Sequence, residues 1–458
     1  MNDITAFFAF LRYSLGKKEN MSRMVAGMDW QELYSFASKQ ALLGLCFEGI
    51  DRLGKEYPEE LRLNPIGKEL LMTWMGKAQQ IRRQNMKVNA VAGKLFAMLR
   101  EDGLRCCILK GQGNALMYPN PYSRTPGDID VWIDASRERI MEYAQKKFEL
   151  EDDIRLQHLE TSLDGVPVEL HFFPCSMNNP IYHARLQKWF RRNADLQCSH
   201  IVGLPDGAGD IAIPTTAFNV VYQLTHLYHH FFDEGIGMRQ IIDYFLVVND
   251  FSKNVFLNND LSNHPVNFSN HPVPLSKEGS TFSPSPSSSG SGDVTAPSRC
   301  SEPLRSKDGG PSKVSPNCAG WDRLAIEGDN SAGSTTVVTS SASTALDVVQ
   351  RELKYLGLWK FSGAVMYVLH EALGLSEEKM IAPMDEKRGK LLLAEILNGG
   401  NFGKHFTKYG HFTQQGMAKK YFLKIWRNMH FVRYFPAEAL SEPIFRTWHF
   451  FWRLKHRR

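Results

Sequence analysis

The 458-residue chain has little of what secreted and membrane-spanning proteins use. Its seven cysteines are scattered and form no Cys-x-x-Cys pair, which argues against a zinc site or a disulfide framework. The N-terminus, Met1-Asn2-Asp3-Ile4, lacks a basic segment followed by a long apolar run, so we do not expect a secretory signal. No stretch approaches the roughly 18 uninterrupted apolar residues that a spanning helix needs. We therefore expect a soluble, reduced, cytoplasmic protein without a transmembrane segment.

The chain also carries only a modest excess of positive over negative charge. The formal net charge is +5, which suits an anionic ligand but also suits many ordinary proteins. The composition is 43% hydrophobic, enough for a sizeable buried core, and the length favours two or three domains.

The pattern of apolar residues divides the chain into regions. Helical periodicity dominates residues 1–100, and short strand-like runs separated by turn residues follow in 101–212. Helical periodicity returns in 213–251 and 345–458. We interpret these regions as an N-terminal helical region, an α/β core and a C-terminal helical domain.

Residues 252–344 interrupt the C-terminal helical domain. This stretch is rich in Ser, Pro, Gly and Asn, and such a composition cannot bury enough apolar surface to offset the entropy of ordering the chain. The sequence therefore predicts a disordered, low-complexity insertion there.

A β-hairpin is predicted around Asp164-Gly165. This dipeptide tolerates positive φ and lies between two strand-like runs, 158–163 and 166–171. Glu169 consequently falls on a hairpin strand. Strand alternation places Val168 and Leu170 on its apolar face and Glu169 on the other.

The run Asp128-Ile129-Asp130 carries the chemistry. On a strand, the two carboxylates point to one side while Ile129 enters the core. Paired carboxylates bridge hard cations, and phosphoryl transfer uses two such ions about 4 Å apart to neutralise a triphosphate and activate the acceptor oxygen. Glu169 is the natural third ligand, so the predicted metal site is Asp128, Asp130 and Glu169.

Phosphate contacts are predicted on the segment between the first strand and Asp128. Lys110-Gly111 ends a strand and starts a helix, where backbone N–H groups and a cation hold phosphate oxygens, and Gly111 allows close approach. Arg124 lies four residues before Asp128, where a forked guanidinium could reach the same phosphates.

The order of these motifs resembles the DNA polymerase β-like nucleotidyltransferase superfamily. More narrowly, it is similar to an uncharacterised bacterial nucleotidyltransferase family that reads Leu-Lys-Gly, then Arg-x-x-Gly-Asp-Ile-Asp, then Val-Glu-Leu-His. The chain matches in order at 109–111, 124–130 and 168–171.

The resemblance covers roughly residues 100–250. It implies an α+β fold with a nucleotidyltransferase-type mixed β-sheet core and flanking helices. It also implies two Mg²⁺ ions, with Mn²⁺ possible, and transfer of a nucleoside monophosphate from an NTP to an unidentified hydroxyl or phosphate. Asp128 and Asp130 would bind both ions, and Glu169 would hold the catalytic ion.

Several alternatives stay open. A degenerate site would make the chain a nucleotide-binding interaction protein, and a different acceptor would make it a toxin-like transferase acting on tRNA or protein.

His226, His229 and His230 have metal-like spacing, but their aromatic neighbours favour structural histidines. Arg239 either pairs with Asp243 on one helix or faces the nucleotide. The basic, aromatic C-terminus fits RNA or an anionic membrane, although packing on the domain is favoured.

Overall fold

The computed structural model describes residues 4–150, 155–260, 341–405 and 417–456. The helices are α1 (Ile4–Ser14), α2 (Ser22–Ala26), α3 (Trp30–Lys39), α4 (Leu43–Glu56), α5 (Pro58–Leu63), α6 (Lys68–Glu101), α7 (Gly111–Ala115), α8 (Arg137–Lys147), α9 (Pro180–Ser199), α10 (Thr216–Asp233), α11 (Met238–Asp260), α12 (Ser341–Tyr355), α13 (Trp359–Leu373), α14 (Glu386–Gly399), α15 (Met417–Met429) and α16 (Pro436–His456). The strands are β1 (Cys106–Leu109), β2 (Ile129–Ile133), β3 (His158–Leu163), β4 (Val166–His171), β5 (Ile201–Gly203) and β6 (Asp210–Ala212).

The central sheet has four strands in the order β1-β2-β4-β3. β2 and β4 are parallel, whereas β1 pairs with β2 and β3 pairs with β4 in antiparallel fashion. The sheet is therefore mixed, and helices precede and follow it in the chain. This architecture confirms the predicted α+β fold class.

One face of the sheet forms an apolar core with the long helix α6. Alternation along β2 sends Ile129, Val131 and Ile133 to this face, where they are fully buried. Val88, Leu95 and other residues of α6 belong to the same cluster. The sheet thus packs against α6 on this face. The opposite face carries Asp130 and Glu169 and is the polar face of the sheet, although Trp132 also lies on it.

The predicted hairpin is confirmed. β3 and β4 pair from His158↔His171 to Leu163↔Val166, so only two residues join them. Asp164 and Gly165 both have positive φ, 50° and 69°, as a two-residue turn between twisted strands requires. This turn fixes the register that places Glu169 on the polar face.

A second, larger core joins the sheet to the helices on its polar side. Trp132 of β2 stacks on Phe218 of α10, and Phe190 of α9 contacts both rings. Residues of α1, α4, α11 and α13 belong to the same buried cluster. The N-terminal and C-terminal helical regions therefore pack around the polar face of the sheet.

Helix reaches into both ends of the segment 252–344, because α11 runs to Asp260 and α12 starts at Ser341. Residues 261–340 lie outside the described residues. The expectation that they are disordered stays a prediction.

The C-terminal helices mix buried and exposed aromatic residues. Phe431 is buried, and the buried Arg427 donates a hydrogen bond to the carbonyl oxygen of Phe231. Trp426 and Trp448 are about half exposed. The favoured packing interpretation thus holds for Phe431 and does not extend to Trp448.

The cysteines and the helices of the described residues bear on disulfides and membrane spans. Cys46, Cys106, Cys107, Cys175 and Cys198 are free thiols. Within the part of the chain that the structure describes, no helix combines the length and the apolar character needed to cross a bilayer.

Candidate functional site

The three predicted carboxylates come from two neighbouring parallel strands. Asp130 of β2 is the direct Cα partner of Glu169 of β4. Asp128 lies two residues before Asp130, just ahead of β2. Because strand side chains alternate, all three fall on the polar side of the sheet. The parity argument from the sequence is matched by this register.

Two basic groups hold the carboxylates. Lys110 donates from Nζ to Oδ1 of Asp130 at 3.0 Å. His171 Nε2 lies 3.0 Å from the same oxygen and 3.0 Å from Oε2 of Glu169. His171 therefore joins the two acidic side chains across β2 and β4. His171 follows Glu169 by two residues on β4, so strand alternation places both on the same face.

The carboxylates differ in their electrostatics. The negative charge of Asp130, together with burial and Glu169, raises the pKa of Asp128 to about 6. Burial also raises the pKa of Asp130, but Lys110 and His171 outweigh it and hold that pKa well below its usual range. Burial and the hydrogen bond from His171 act in opposite directions on Glu169, and the net effect lowers its pKa. Asp128 is thus the carboxylate that the fold leaves least compensated.

Lys110 is held in an unusual conformation at the end of β1. Its φ is 53°, in the left-handed region that non-glycine residues rarely adopt. The helix that follows, α7, has only five residues, so it contributes little dipole of its own. The Nζ atom also lies 2.9 Å from Nε2 of His226.

His226 is a neutral partner for this ammonium group. Burial first, and then the charge of Lys110, hold its pKa well below the usual value for histidine. An uncharged Nε2 accepts a hydrogen bond from Lys110. Among the described residues, His226, His229 and His230 do not form a group arranged to hold a metal.

The two arginines of the site have different partners. Arg124, 6% exposed, donates from Nε and Nη2 to the two carboxylate oxygens of Asp243 at 2.9 and 2.8 Å. Tyr118 donates a further hydrogen bond to Asp243 at 2.8 Å. Asp243 is therefore the partner of Arg124, and of the two alternatives for Arg239, the intrahelical pair with Asp243 is replaced by this contact.

Arg239 is buried beside the carboxylates, at 8% exposed. Its Nη1 donates to the carbonyl oxygen of Thr125 at 3.0 Å, and its guanidinium lies over the ring of Phe402. Its Nε has no hydrogen-bond partner. Burial and the nearby charge of Arg124 lower its pKa.

These side chains line one cleft. Its walls include Asp128, Asp130, Lys110 and Gly111, and both arginines. A Cβ added at Gly111 would meet only the carbonyl oxygen of Asp128, at 3.9 Å, so the space beside this backbone is open. The cleft therefore combines an acidic wall with a cationic one.

The structure adds residues that the sequence analysis missed. His158 of β3 lies beside Glu169, with Nδ1 3.4 Å from Oε2. The available signal was the hairpin register. A two-residue turn places His158 directly opposite His171, the histidine of Val-Glu-Leu-His. No local signal marked Gln157, which contacts His171 from the loop before β3 at 3.2 Å.

The fold and site can be compared with known proteins. A family model described as an uncharacterised nucleotidyltransferase matches residues 26–262, more than half of the chain. The solved structure of an antigenic nucleotidyltransferase-like protein from Paracoccidioides brasiliensis is similar at 17% identity. That match covers 38% of this chain and 86% of that one, with a TM-score of 0.25. No curated protein matches the chain. The chain belongs to the family of uncharacterised nucleotidyltransferases that this model describes.

Proposed function

We propose that this protein transfers a nucleoside monophosphate from an NTP to an acceptor hydroxyl or phosphate. The observation that carries the proposal is the pairing of Asp130 with Glu169 across two parallel strands, with Asp128 lining the same cleft as Asp130. Binding alone would not require three converging carboxylates, because each one adds repulsion that the apo fold must tolerate.

The donor set fits divalent metal. Asp128, Asp130 and Glu169 offer carboxylate oxygens, which Mg²⁺ prefers and Mn²⁺ accepts. The raised pKa of Asp128 is the expected mark of acidic groups brought together with too little positive charge. Bound there, two ions would neutralise the triphosphate and activate the acceptor oxygen.

The cationic wall fits the triphosphate. Lys110 and the open backbone at Gly111 border the carboxylates, so they would contact the phosphates nearest to the reacting centre. Arg239 has an unpartnered Nε in the same cleft, and we assign it the forked contact with phosphate oxygens. Arg124 donates from two of its three guanidinium nitrogens to Asp243, so we give it the role of holding that wall in place.

The reaction forms one bond and breaks one. An acceptor oxygen attacks the α-phosphorus of the NTP, and the bond from that phosphorus to the bridging α–β oxygen breaks. The electron pair of the broken bond leaves with pyrophosphate. In this proposal Glu169 accepts the proton of the acceptor, directly or through water.

Labelled nucleotides test the proposal. The protein is incubated with Mg²⁺, a cell extract and NTPs labelled on either the α- or the γ-phosphate. We expect the α-label to enter an acceptor fraction and the γ-label to leave as pyrophosphate. Incorporation of the γ-label would indicate phosphoryl transfer and contradict the proposed reaction.

Asp128→Asn is the matched variant, because it removes a metal ligand and relieves repulsion while keeping side-chain shape. We expect transfer to fall at least about a hundredfold, since metal ions supply several kcal/mol of stabilisation. The melting temperature should be unchanged or higher. Asp210→Asn, at an exposed position of β6, is the control and should remain active. Transfer by Asp128→Asn within a few-fold of wild type would remove the assigned site, and NTP binding without transfer by the wild type would identify a degenerate binding protein.

A further inference from the structure

Next to the carboxylate set, three side chains of the β3–β4 hairpin bring their ligand atoms together. His158, Glu169 and His171 each offer one ligand atom, and these atoms all lie within 4.8 Å of one another. From these residues we propose a binding site for a divalent transition-metal ion of the zinc type, coordinated by two imidazoles and one carboxylate.

The burial and the unpartnered ring nitrogens of His158 distinguish this site from a simple acidic cluster. The residue is 8% exposed, and neither ring nitrogen makes a hydrogen bond. Leaving a buried polar group unsatisfied costs about 1–3 kcal/mol, so such groups in folded proteins need an explanation. A metal ion that accepts the lone pair of Nδ1 provides a partner for that nitrogen.

The distances fit tetrahedral coordination. His158 Nδ1 lies 3.4 Å and His171 Nε2 lies 3.0 Å from Oε2 of Glu169. Ligands about 2.0–2.1 Å from a tetrahedral ion are separated by about 3.3 Å. Two of the separations are close to this value, and all three ligand atoms lie within 4.8 Å of one another, so an ion bound among them would draw the two imidazoles closer together. Asp130, 3.0 Å from His171 Nε2, is close enough to take a fourth position in place of water.

The donor chemistry selects the metal. Imidazole suits zinc and its neighbours in the first transition row, whereas Mg²⁺ prefers oxygen and keeps several of its waters. Two of the three ligands here are imidazole nitrogens. The site should consequently bind Zn²⁺ or Co²⁺ in the presence of a large excess of Mg²⁺.

The other nitrogen of the His171 ring contacts Gln157. Gln157 lies 3.2 Å from Nδ1, the nitrogen that does not face Glu169. A side-chain amide can present either its NH₂ or its oxygen, and the orientation follows from the network. Gln157 Nε2 donates to the carbonyl oxygen of Pro174 at 3.1 Å and its Oε1 accepts from Ser176 Oγ at 3.3 Å, so the amide nitrogen faces His171 Nδ1. Coordination of an ion by His171 Nε2 therefore requires the ring to lose its Nε2 proton, and Zn²⁺ binding should release a proton.

The site shares Glu169 with the proposed reaction. Metal binding there does not depend on whether the protein catalyses that reaction. It differs from the carboxylate set through His158, which comes from β3 and lies on the far side of Glu169 from Asp130 in the strand order. Loss of one site is distinguishable from loss of the other, because Asp128 belongs only to the carboxylate set.

The test measures binding of Co²⁺ and Zn²⁺ to the full chain at saturating Mg²⁺. Wild-type protein should bind one additional Co²⁺ with the visible absorption of a four- or five-coordinate ion, and Zn²⁺ should displace it. His158→Asn and His158→Gln should each weaken Zn²⁺ binding at least ten- to a hundredfold, the loss that outer-shell partners alone cause. His200→Asn, which changes a histidine elsewhere, and Asp128→Asn should retain Zn²⁺ binding.

The visible absorption band of Co²⁺ bound to the wild-type protein tests the site even if both His158 variants fold poorly. Absence of that band, or Co²⁺ binding that Mg²⁺ abolishes, would overturn the site. Equal Zn²⁺ affinity of wild type and a folded His158 variant would overturn it as well, whatever the outcome for nucleotide transfer. Transfer lost in Asp128→Asn with Zn²⁺ binding intact would support both assignments separately.

Discussion

Two buried arginines in one cleft should respond in opposite ways to the same substitution. Arg124 is held by both oxygens of Asp243, whereas Arg239 has one backbone hydrogen bond, a ring contact and an unpartnered Nε. We compare Arg124→Gln with Arg239→Gln, because glutamine removes the charge from each and keeps a polar side chain.

The structure sets the expected magnitudes. Removing Arg124 leaves Asp243 buried without its counter-charge, and breaking a buried pair in this way costs about 3–5 kcal/mol. Removing Arg239 takes away a charge that burial and Arg124 already disfavour, so the free energy of unfolding should change by less than about 1 kcal/mol or increase. A lost charge-assisted contact to phosphate costs about 1.5–3 kcal/mol, which weakens NTP binding about 10- to 150-fold.

Denaturant unfolding and NTP titration together decide between the two roles. We expect Arg124→Gln to lose stability and Arg239→Gln to lose NTP affinity at nearly unchanged stability. A loss of stability in Arg239→Gln as large as that in Arg124→Gln would make Arg239 structural. Unchanged NTP affinity in a stable Arg239→Gln would refute its contact with phosphate.

Two further predictions concern stability. Gly93→Ala should destabilise the fold by about 1–3 kcal/mol or more, because its Cβ would lie 2.1 Å from the carbonyl oxygen of Ala208; Gly76→Ala, with open space on the same helix, should stabilise it by up to about 1 kcal/mol in urea unfolding. Burial raises the pKa of Glu438 from 4.5 to about 7 although the backbone N–H of Asn178 donates to it, so the folded state holds a proton that the unfolded state has lost. Stability should therefore fall by up to about 3 kcal/mol as pH rises from 4.5 through 7. Glu438→Gln should flatten that part of the profile, and an unchanged slope would contradict the assignment.

The parts of the site that the sequence predicted depend on local rules. Strand alternation placed Asp128 and Asp130 on one side, and the positive φ that Asp164-Gly165 tolerates fixed the hairpin. Once the turn has two residues, the register along β3 and β4 follows, and Glu169 must face the same way as His171. Such predictions need only neighbours in sequence and the two-residue period of a strand.

The partners of the cations could not be obtained in this way. Arg124 and Asp243 lie 119 positions apart, and Lys110 and His226 lie 116 apart. The helical spacing of Arg239 and Asp243 indicated a pair between them, but a bidentate contact in a buried site outweighs an intrahelical pair worth a few tenths of a kcal/mol. The choice depends on which side chains the helices bring into the cleft, and a linear pattern does not contain that information.

The charges of the cleft divide into those that the fold satisfies and those that it leaves for a ligand. The pKa of Asp130 and that of Asp243 are lowered, so their partners favour the charged forms. The pKa of Asp128 is raised to about 6 and that of Arg239 is lowered, so at these two positions the fold disfavours the charged form. A cation would relieve the first and an anion the second. Arg239 and Asp128 line the same cleft, so a single ligand can meet both needs. A metal-bound triphosphate carries both positive and negative charge, whereas a free cation or a free anion would satisfy only one of the two residues.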